Sequence, residues 1–322
     1  MVIHAYSSYL RANPTMATAF VRHPDCALHD MGVGHPESPD RLAAIEDHLI
    51  STGLMDHLVS TVAPEATREQ LLRVHDETYI KSIEAVAPHK GFVHLDPDTA
   101  LNPHSLSAAK YAAGAVVMAT DMVMRGEVEN GFCNVRPPGH HACRRRAMGF
   151  CIFNNVAVGA AHALAVHGLD RVAIVDFDVH HGNGTEDIFA GDPRVTMVST
   201  FQHPFYPYSG VEGQSERMVN IPLAAYSGSA QFRDAVENSW LPALHRFAPQ
   251  MIFVSAGFDA HRDDDLASLA LSETDYAWVT RQIVDVAQRY ADRRIVSTLE
   301  GGYNLEALAR SVAAHIRALC DI

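Results

Sequence analysis

The chain has 322 residues, of which 48% are hydrophobic and 20% charged, enough apolar material for a large buried core and too little charge for a disordered chain. Its 25 Lys and Arg against 38 Asp and Glu give a formal net charge of −13, which argues against broad electrostatic binding to nucleic acid or anionic lipid. No run approaches the ~18 to 20 apolar residues of a membrane span, no basic-then-apolar leader opens the chain, and Cys26, Cys133, Cys143, Cys151 and Cys320 form no C-x-x-C pair, so a cytoplasmic protein without a disulfide framework is expected.

In chain order, helical periodicity covers Arg41–Ser51, Arg68–Ala85 and Ser105–Arg125, and a short apolar run follows at Gly131–Val135. A helix is then expected over Ala157–His167, with runs at Val172–Phe177 and Val195–Phe201, a helix over Gln231–Phe247 and a run at Met251–Ser255. Glu273–Tyr290, Ile295–Leu299 and Leu305–Leu319 close the series as helix, run and helix. Short runs apolar throughout and separated by helices predict an α/β protein with a mostly parallel sheet covered by helices on both faces. With no repeat and no linker, residues 16–322 read as one domain and residues 1–15 as an N-terminal extension.

Ligands of such sheets bind beyond the carboxyl ends of the strands. Polar, chemically capable residues follow the runs there: Arg136-Pro-Pro-Gly-His140-His141, Asp178-Val-His180-His181-Gly-Asn183, Gly257-Phe-Asp259 and Glu300-Gly-Gly-Tyr303. Period-two spacing would point Asp176, Asp178 and His180 to one side if strand geometry persists, and Asp259 would add a carboxylate from another strand end. His with carboxylates leaves an open position on a divalent metal. An isolated Asp-x-His is ordinarily a capped helix start, and an isolated His-His pair ordinarily filler. The convergence of several strand ends favours chemistry, with His140 and His141 suited to proton transfer and the Tyr303 phenol able to donate to an oxyanion.

Arg136–His141, Gly149-Phe-Cys-Ile-Phe-Asn-Asn155, Asp176–Gly184, Ser255–Asp259 and Glu300–Tyr303, with His35-Pro-Glu-Ser-Pro-Asp-Arg41 and Val74-His75 upstream, resemble the zinc-dependent histone deacetylase family from about Phe20 to the C-terminus. Asn183 and the Arg136–His141 segment look more like its class II and bacterial relatives. The resemblance implies an arginase-like α/β fold over 16–322. It also implies hydrolysis of the acetyl amide of an acetylated lysine side chain by a metal-activated water. Asp178, His180 and Asp259 would be ligands to one zinc, with Fe(II) also accepted by this set. His141 would serve as general base and then acid, beside Asn183. His140 would be mainly electrostatic and oriented by Asp176, and Tyr303 would polarise the carbonyl.

The same resemblance places Gly149, Phe150 and Tyr206 along an acyl-lysine tunnel, with Tyr206 where Phe is usual, so that its hydroxyl needs a partner if buried. Asp98 falls at a rim position that bonds the substrate backbone, or is a solvated loop carboxylate. Leu266 matches the lysine deacetylases, whereas polyamine-selective relatives carry glutamate there. Asp263, Asp264 and Asp265 nevertheless keep acetylpolyamine amidohydrolase as the alternative. A non-catalytic acyl-lysine binder is a second alternative, which would not need the full hydrolytic set. Potassium is implied near Asp176, Asp178, His180 and Ser199, and again near Phe189 and Val195. The expected partners are an acetylated lysine in a protein or peptide, or a small acetylated amine, with no direct nucleic-acid or membrane contact.

Overall fold

The computed structural model describes residues 17–212 and 215–322, so the expected extension at residues 1–15 lies outside the described residues. The strands are β1 (Thr18–Arg22), β2 (Leu58–Val62), β3 (Val93–Asp96), β4 (Thr99–Leu101), β5 (Asn130–Asn134), β6 (Val172–Asp176), β7 (Val195–Gln202), β8 (Met218–Leu223), β9 (Met251–Ala256) and β10 (Ile295–Leu299). Eight of them form one sheet in the order β2-β1-β5-β10-β9-β6-β7-β8, parallel at every pairing, while β3 and β4 make a separate antiparallel hairpin. Strands β5, β6, β7, β9 and β10 are buried along their whole length, which is why they read as unbroken runs rather than alternating ones.

The helices are α1 (Asp40–Ser51), α2 (Arg68–Leu72), α3 (Glu77–Val86), α4 (Ser105–Met124), α5 (Asn155–Val166), α6 (Asn183–Phe189), α7 (Ser229–Ala235), α8 (Leu241–Phe247), α9 (Glu273–Tyr290) and α10 (Leu305–Leu319). Helices α4 and α5 pack together over β1, β5, β6, β9 and β10, whereas α1, α9 and α10 group over the opposite face. Both α4 and α5 are Ala-rich and buried nearly all round, so they sit close to the sheet. The α/β architecture with a parallel sheet is therefore as expected. No helix among the described residues is long and apolar enough to cross a membrane.

Two expected helices differ. The segment 68–85 is two helices, because the chain breaks at Arg73–Asp76 to bond the loop after β5: Asp76 N–H donates to the Arg144 carbonyl (3.1 Å), and His75 Nδ1 meets the Cys143 carbonyl (3.0 Å). The segment 231–247 is α7 and α8 joined by a wider turn at Val236–Trp240. Strands β1, β2 and β8, the hairpin and α6 were not foreseen. Edge strand β2 is mostly exposed, and the hairpin strands have only 4 and 3 residues, so none carries a strong period-two pattern.

Because all eight strands run the same way, their carboxyl ends share one edge of the sheet. Beneath that edge lies a buried ion network. Glu37 accepts from Arg41 Nη1 (3.0 Å) and from Arg136 Nη2 (2.7 Å). Arg136 also donates to the carbonyls of Cys26 and His29, and Arg41 to those of Gly302 and Glu300. Burial alone would raise the Glu37 carboxyl, but the Arg136 charge and His29 hold it far below the usual range.

Candidate active site at the strand ends

Strand β6 stops at Asp176, and side-chain bonds take over from the ladder. Asp176 Oδ1 accepts from Asp178 N–H (3.1 Å), and Asp178 Oδ1 accepts from His180 N–H (2.8 Å). The expected strand alternation thus ends at Asp176, and it is this turn that aims Asp178 and His180 at Asp259 while Asp176 turns to His140. The ligand atoms of Asp178, His180 and Asp259 lie within 4.8 Å of one another, with His180 Nδ1 2.9 Å from Asp178 Oδ1 and 3.2 Å from Asp259 Oδ2.

Each carboxylate is held from behind. Asp178 Oδ2 accepts from Gly301 N–H (2.8 Å) and Asp259 Oδ1 from Val179 N–H (2.9 Å), but Asp259 Oδ2 is buried with no hydrogen-bond partner. A side chain at Gly301 would meet Asp259 Oδ2 at 2.0 Å, and one at Gly257 would meet Asp178 Oδ2 at 2.1 Å, so the two glycines let backbone approach the acidic pair closely. Burial and the Asp178 charge push Asp259 up to about 6. Burial works against charge on His180, but its bond to Asp178 and the nearby Asp259 carboxylate outweigh this and push it up to about 9. Two buried carboxylates, one imidazole and an orphaned oxygen are a donor set that fits a divalent zinc or iron, with part of the coordination shell open.

A second triple among the described residues, Asp121, His162 and His167, has similar spacing. There Arg73 Nη1 donates to His162 Nδ1 (3.0 Å), which leaves the ring proton on Nε2, facing Asp121 Oδ1 at 2.9 Å. A metal ligand must present a lone pair at that atom. This cluster is therefore a hydrogen-bonded link between α4 and α5.

His140 and His141 stand beside the first triple, ring centroids 4.1 Å apart. His140 Nδ1 is 3.0 Å from Asp176 Oδ2. Burial opposes charge on this ring, but Asp178 and Asp176 overcome it and hold its pKa well above 6.5. His141 Nδ1 lies 2.7 Å from Asn183 Oδ1, while the Asn183 amide nitrogen faces Cys143 Sγ and Met148 Sδ. With the amide oriented this way, Nδ1 donates and Nε2 keeps a lone pair. Burial, then repulsion from His140 and His180, holds His141 well below 6.5. The two adjacent imidazoles are thus shifted in opposite directions, His140 up and His141 down.

Both rings rest on Glu300, whose Oε2 accepts from Gly139 N–H (2.6 Å) and His140 N–H (3.1 Å). Burial, partly offset by His140, pushes Glu300 up to about 7. Its role was not read from the sequence, although a carboxylate between a buried strand and Gly-Gly was the available signal. Tyr303 follows Gly302, whose φ of +122° reverses the chain. The Tyr303 ring lies edge-on to Phe150 (6.0 Å) and under the Arg41 guanidinium (5.0 Å). Burial, and then Asp259, push the phenol well above 10, so it remains a proton donor.

A cavity of 160 Å³ joins these groups: His140, His141, His180 and Tyr303 line it together with Gly149, Phe150, Tyr206, Asp98 and Leu266. Leu266 is 37% exposed and so marks its outer end, while both histidines are buried. Tyr206 packs edge-on to His141 (5.3 Å) and His180 (6.0 Å), and its hydroxyl is buried without a partner. Asp98 is a brace as well as a lining residue, because its Oδ1 accepts from Gly149 N–H (3.0 Å) and from the Thr99 hydroxyl (2.8 Å). Thr99 Oγ1 in turn accepts from Phe150 N–H (3.0 Å), a role that sequence reasoning missed. Asn183, Asp176 and Ser199 are not among the lining residues. Ser199 pairs with Asp176 across β7 and β6, its hydroxyl buried without a hydrogen-bond partner.

A family profile described as histone deacetylase domain matches residues 35–319. A histone deacetylase-like amidohydrolase of Pseudomonas aeruginosa is 39% identical over 84% of this chain and 73% of its own length. The type-2 histone deacetylase 2 of Dictyostelium discoideum is 37% identical over 94% of this chain, which spans only 21% of that protein. The mouse polyamine deacetylase HDAC10 is 37% identical over 94% of this chain and 48% of its own length. Among solved structures, the HDA15 HD domain superposes with a TM-score of 0.88 at 34% identity, covering 95% of this chain and 90% of that one.

Proposed function

The chain belongs to the histone deacetylase family, a family of amide-hydrolysing deacetylases, and from that premise we propose that its cavity takes an acetylated lysine side chain and hydrolyses the acetyl amide to free amine and acetate. The observation that carries this reading is one cavity lined together by His140 and His141, two imidazoles shifted in opposite directions, by the Tyr303 phenol, and by His180 of the Asp178, His180 and Asp259 set.

Asp178, His180 and Asp259 would hold a divalent metal, zinc or iron(II), which when bound would supply Lewis-acid polarisation of the carbonyl and lower the pKa of a water. His141 accepts the proton of the attacking water at Nε2 and returns it to the leaving amine, its Nδ1 fixed by Asn183. His140, tied to Asp176, keeps a positive charge next to the reacting carbon, and the Tyr303 phenol donates to the oxyanion as it develops. Phe150 and Tyr206 flank the aliphatic chain and exclude water. A protein that only bound acyl-lysine would not need this divided pair of histidines.

The acidic run after Asp259 gives less support to a polyamine than its composition suggests. Asp264 is buried and bonded to backbone N–H groups, and Asp263 pairs with Arg310. Leu266 is apolar at the outer end. The three arginines after the histidine pair, Arg144 to Arg146, do not line the cavity either: Arg144 donates to the Ile188 carbonyl in α6 and Arg145 to Asp76 ahead of α3, which ties their loop to those two elements. Ser199, buried without a partner next to Asp176, supports a potassium ion there. The five unpaired cysteines suit the cytoplasm.

The test is turnover of the metal-loaded protein on an acetyl-lysine peptide against N-acetylputrescine and N-acetylspermidine, with Tyr303→Phe as control. Preference for the peptide, with a loss of about 100-fold or more in kcat for the variant, is expected. Preference for the polyamines would keep the hydrolytic assignment and overturn the substrate.

A further inference from the structure

The Tyr303 phenol is useful only if it is held in place, and no regular element holds the backbone behind it. Gly302, with a positive φ, precedes it, and α10 begins at Leu305, so the N–H groups of Tyr303 and Asn304 have no partner in the helix ladder. The Asn304 side chain is engaged elsewhere, accepting from Ala307 N–H and donating to the Asp263 carbonyl. Both free N–H groups point at one carboxylate. Asp264 Oδ2 accepts from Tyr303 (2.6 Å) and Asn304 (3.1 Å), and its Oδ1 accepts from Leu266 N–H (3.1 Å).

Asp264 is itself anchored. It is 4% exposed, and its N–H donates to the His261 carbonyl (2.9 Å). The loop carrying it is closed at the base by Arg262 N–H to the Leu271 carbonyl (3.0 Å) and Leu271 N–H to the Ala260 carbonyl (3.1 Å). A buried carboxylate accepting three backbone bonds is a directional clamp. Its partners are the residue bearing the phenol and the residue at the outer end of the cavity.

We propose that Asp264 is the positioning residue of the Tyr303 phenol, and that one carboxylate locks the outer wall at Leu266 and the oxyanion donor at Tyr303 into a single geometry; this rests on the reading of Tyr303 as that donor. Asparagine at 264 has one acceptor oxygen, so its amide NH2 faces backbone N–H either at Leu266 or at Tyr303 and Asn304, and in both orientations the link between the outer wall and Tyr303 is broken without a change of volume.

The test is a double-mutant cycle of Asp264→Asn and Tyr303→Phe on the metal-loaded protein, with kcat and KM on an acetyl-lysine peptide and metal content for each variant. The expected result is a fall in kcat of about 10- to 100-fold for Asp264→Asn, with KM changed much less and metal content kept. In the Tyr303→Phe background the same change should then cost less than about twofold. A purely structural role would not disappear when the phenol is removed. Losses that multiply in the double variant, or an Asp264→Asn protein with full kcat, overturn the proposal alone. Full activity in Tyr303→Phe overturns the reading of the phenol, and this shows in the single variant. Should Asp264→Asn fail to fold, Asp264→Ser, whose hydroxyl can still accept from backbone N–H, goes through the same cycle with the same outcomes.

Discussion

At Gly149 two demands meet in one residue. Its φ is +57°, and a β-carbon there would lie 2.3 Å from His141 Cδ2. Gly149→Ala would therefore pay about 1–2 kcal/mol in backbone strain and push the imidazole away from the triple. We expect kcat to fall at least about tenfold with metal content unchanged, since the proposed ligands Asp178, His180 and Asp259 are not displaced, checked by turnover and metal content side by side. An alanine variant with unchanged kcat would show that the His141 ring can move without consequence. At this scale the sequence was most informative where polar residues sit at or within a few positions of the carboxyl end of a buried strand, as with Asp176, Asp178, Asp259 and Tyr303, all of which the fold brings to one edge of the sheet. It was least informative where a side chain reaches across the fold. Nothing local to Thr99 or Asp264 marks them as holding Phe150 or Tyr303, because those bonds span 51 and 39 positions.

Among elements, the β3–β4 hairpin has the largest effect for its size. Through Asp98 and Thr99 it holds the backbone of Gly149 and Phe150, and Phe150 itself sits at a φ of +67° that an aromatic residue rarely adopts. Thr99→Val keeps the shape but leaves the Phe150 N–H without its acceptor, at a cost of about 1–3 kcal/mol. The expected effect is a several-fold rise in KM with a smaller change in kcat, read from steady-state kinetics, since the cavity wall loosens while the triple is untouched. Equal damage to kcat and KM would place the hairpin's influence nearer the chemistry. Buried strands and long amphipathic helices were legible because their periodicity is set by burial. The break at Arg73–Asp76 was not, since it exists to bond Cys143 and Arg144 far along the chain, and helical propensity simply runs through it.

For the molecule as a whole, two buried histidines set a pH window. Burial lowers His75 to about 4, though bonds to the backbone around Cys143 oppose it, and lowers His315 to about 3. His315 lies between the Thr280 and Ser297 hydroxyls. Both rings stay neutral in the folded state at pH values where the unfolded chain, at about 6.5, takes up a proton. Stability is then full above about 6.5 and falls as the pH drops towards 4 and 3, by up to about 1.4 kcal/mol per pH unit for each ring. Urea unfolding at pH 7, 6 and 5 should show a shallower decline for His315→Gln than for the parent, and parallel declines would refute the assignment. The α/β class and parallel sheet were readable at this scale from the alternation of apolar runs and helices, whereas the order of the strands was not, because pairing partners lie up to about half the chain apart.

That order has a consequence for how the protein comes into being. Strand β10, the most C-terminal of the ten, lies in the middle of the sheet, between β5 and β9. Until it is inserted, β5 and β9 each present an unsatisfied row of N–H and C=O groups, and Glu300 and Tyr303, which follow β10, are missing from the cavity. A chain interrupted before Ile295 is thus left with an open seam and without Tyr303, the proposed oxyanion donor, a species suited to aggregation or proteolysis rather than to partial activity. Closing the seam and completing the cavity are one event, the insertion of β10.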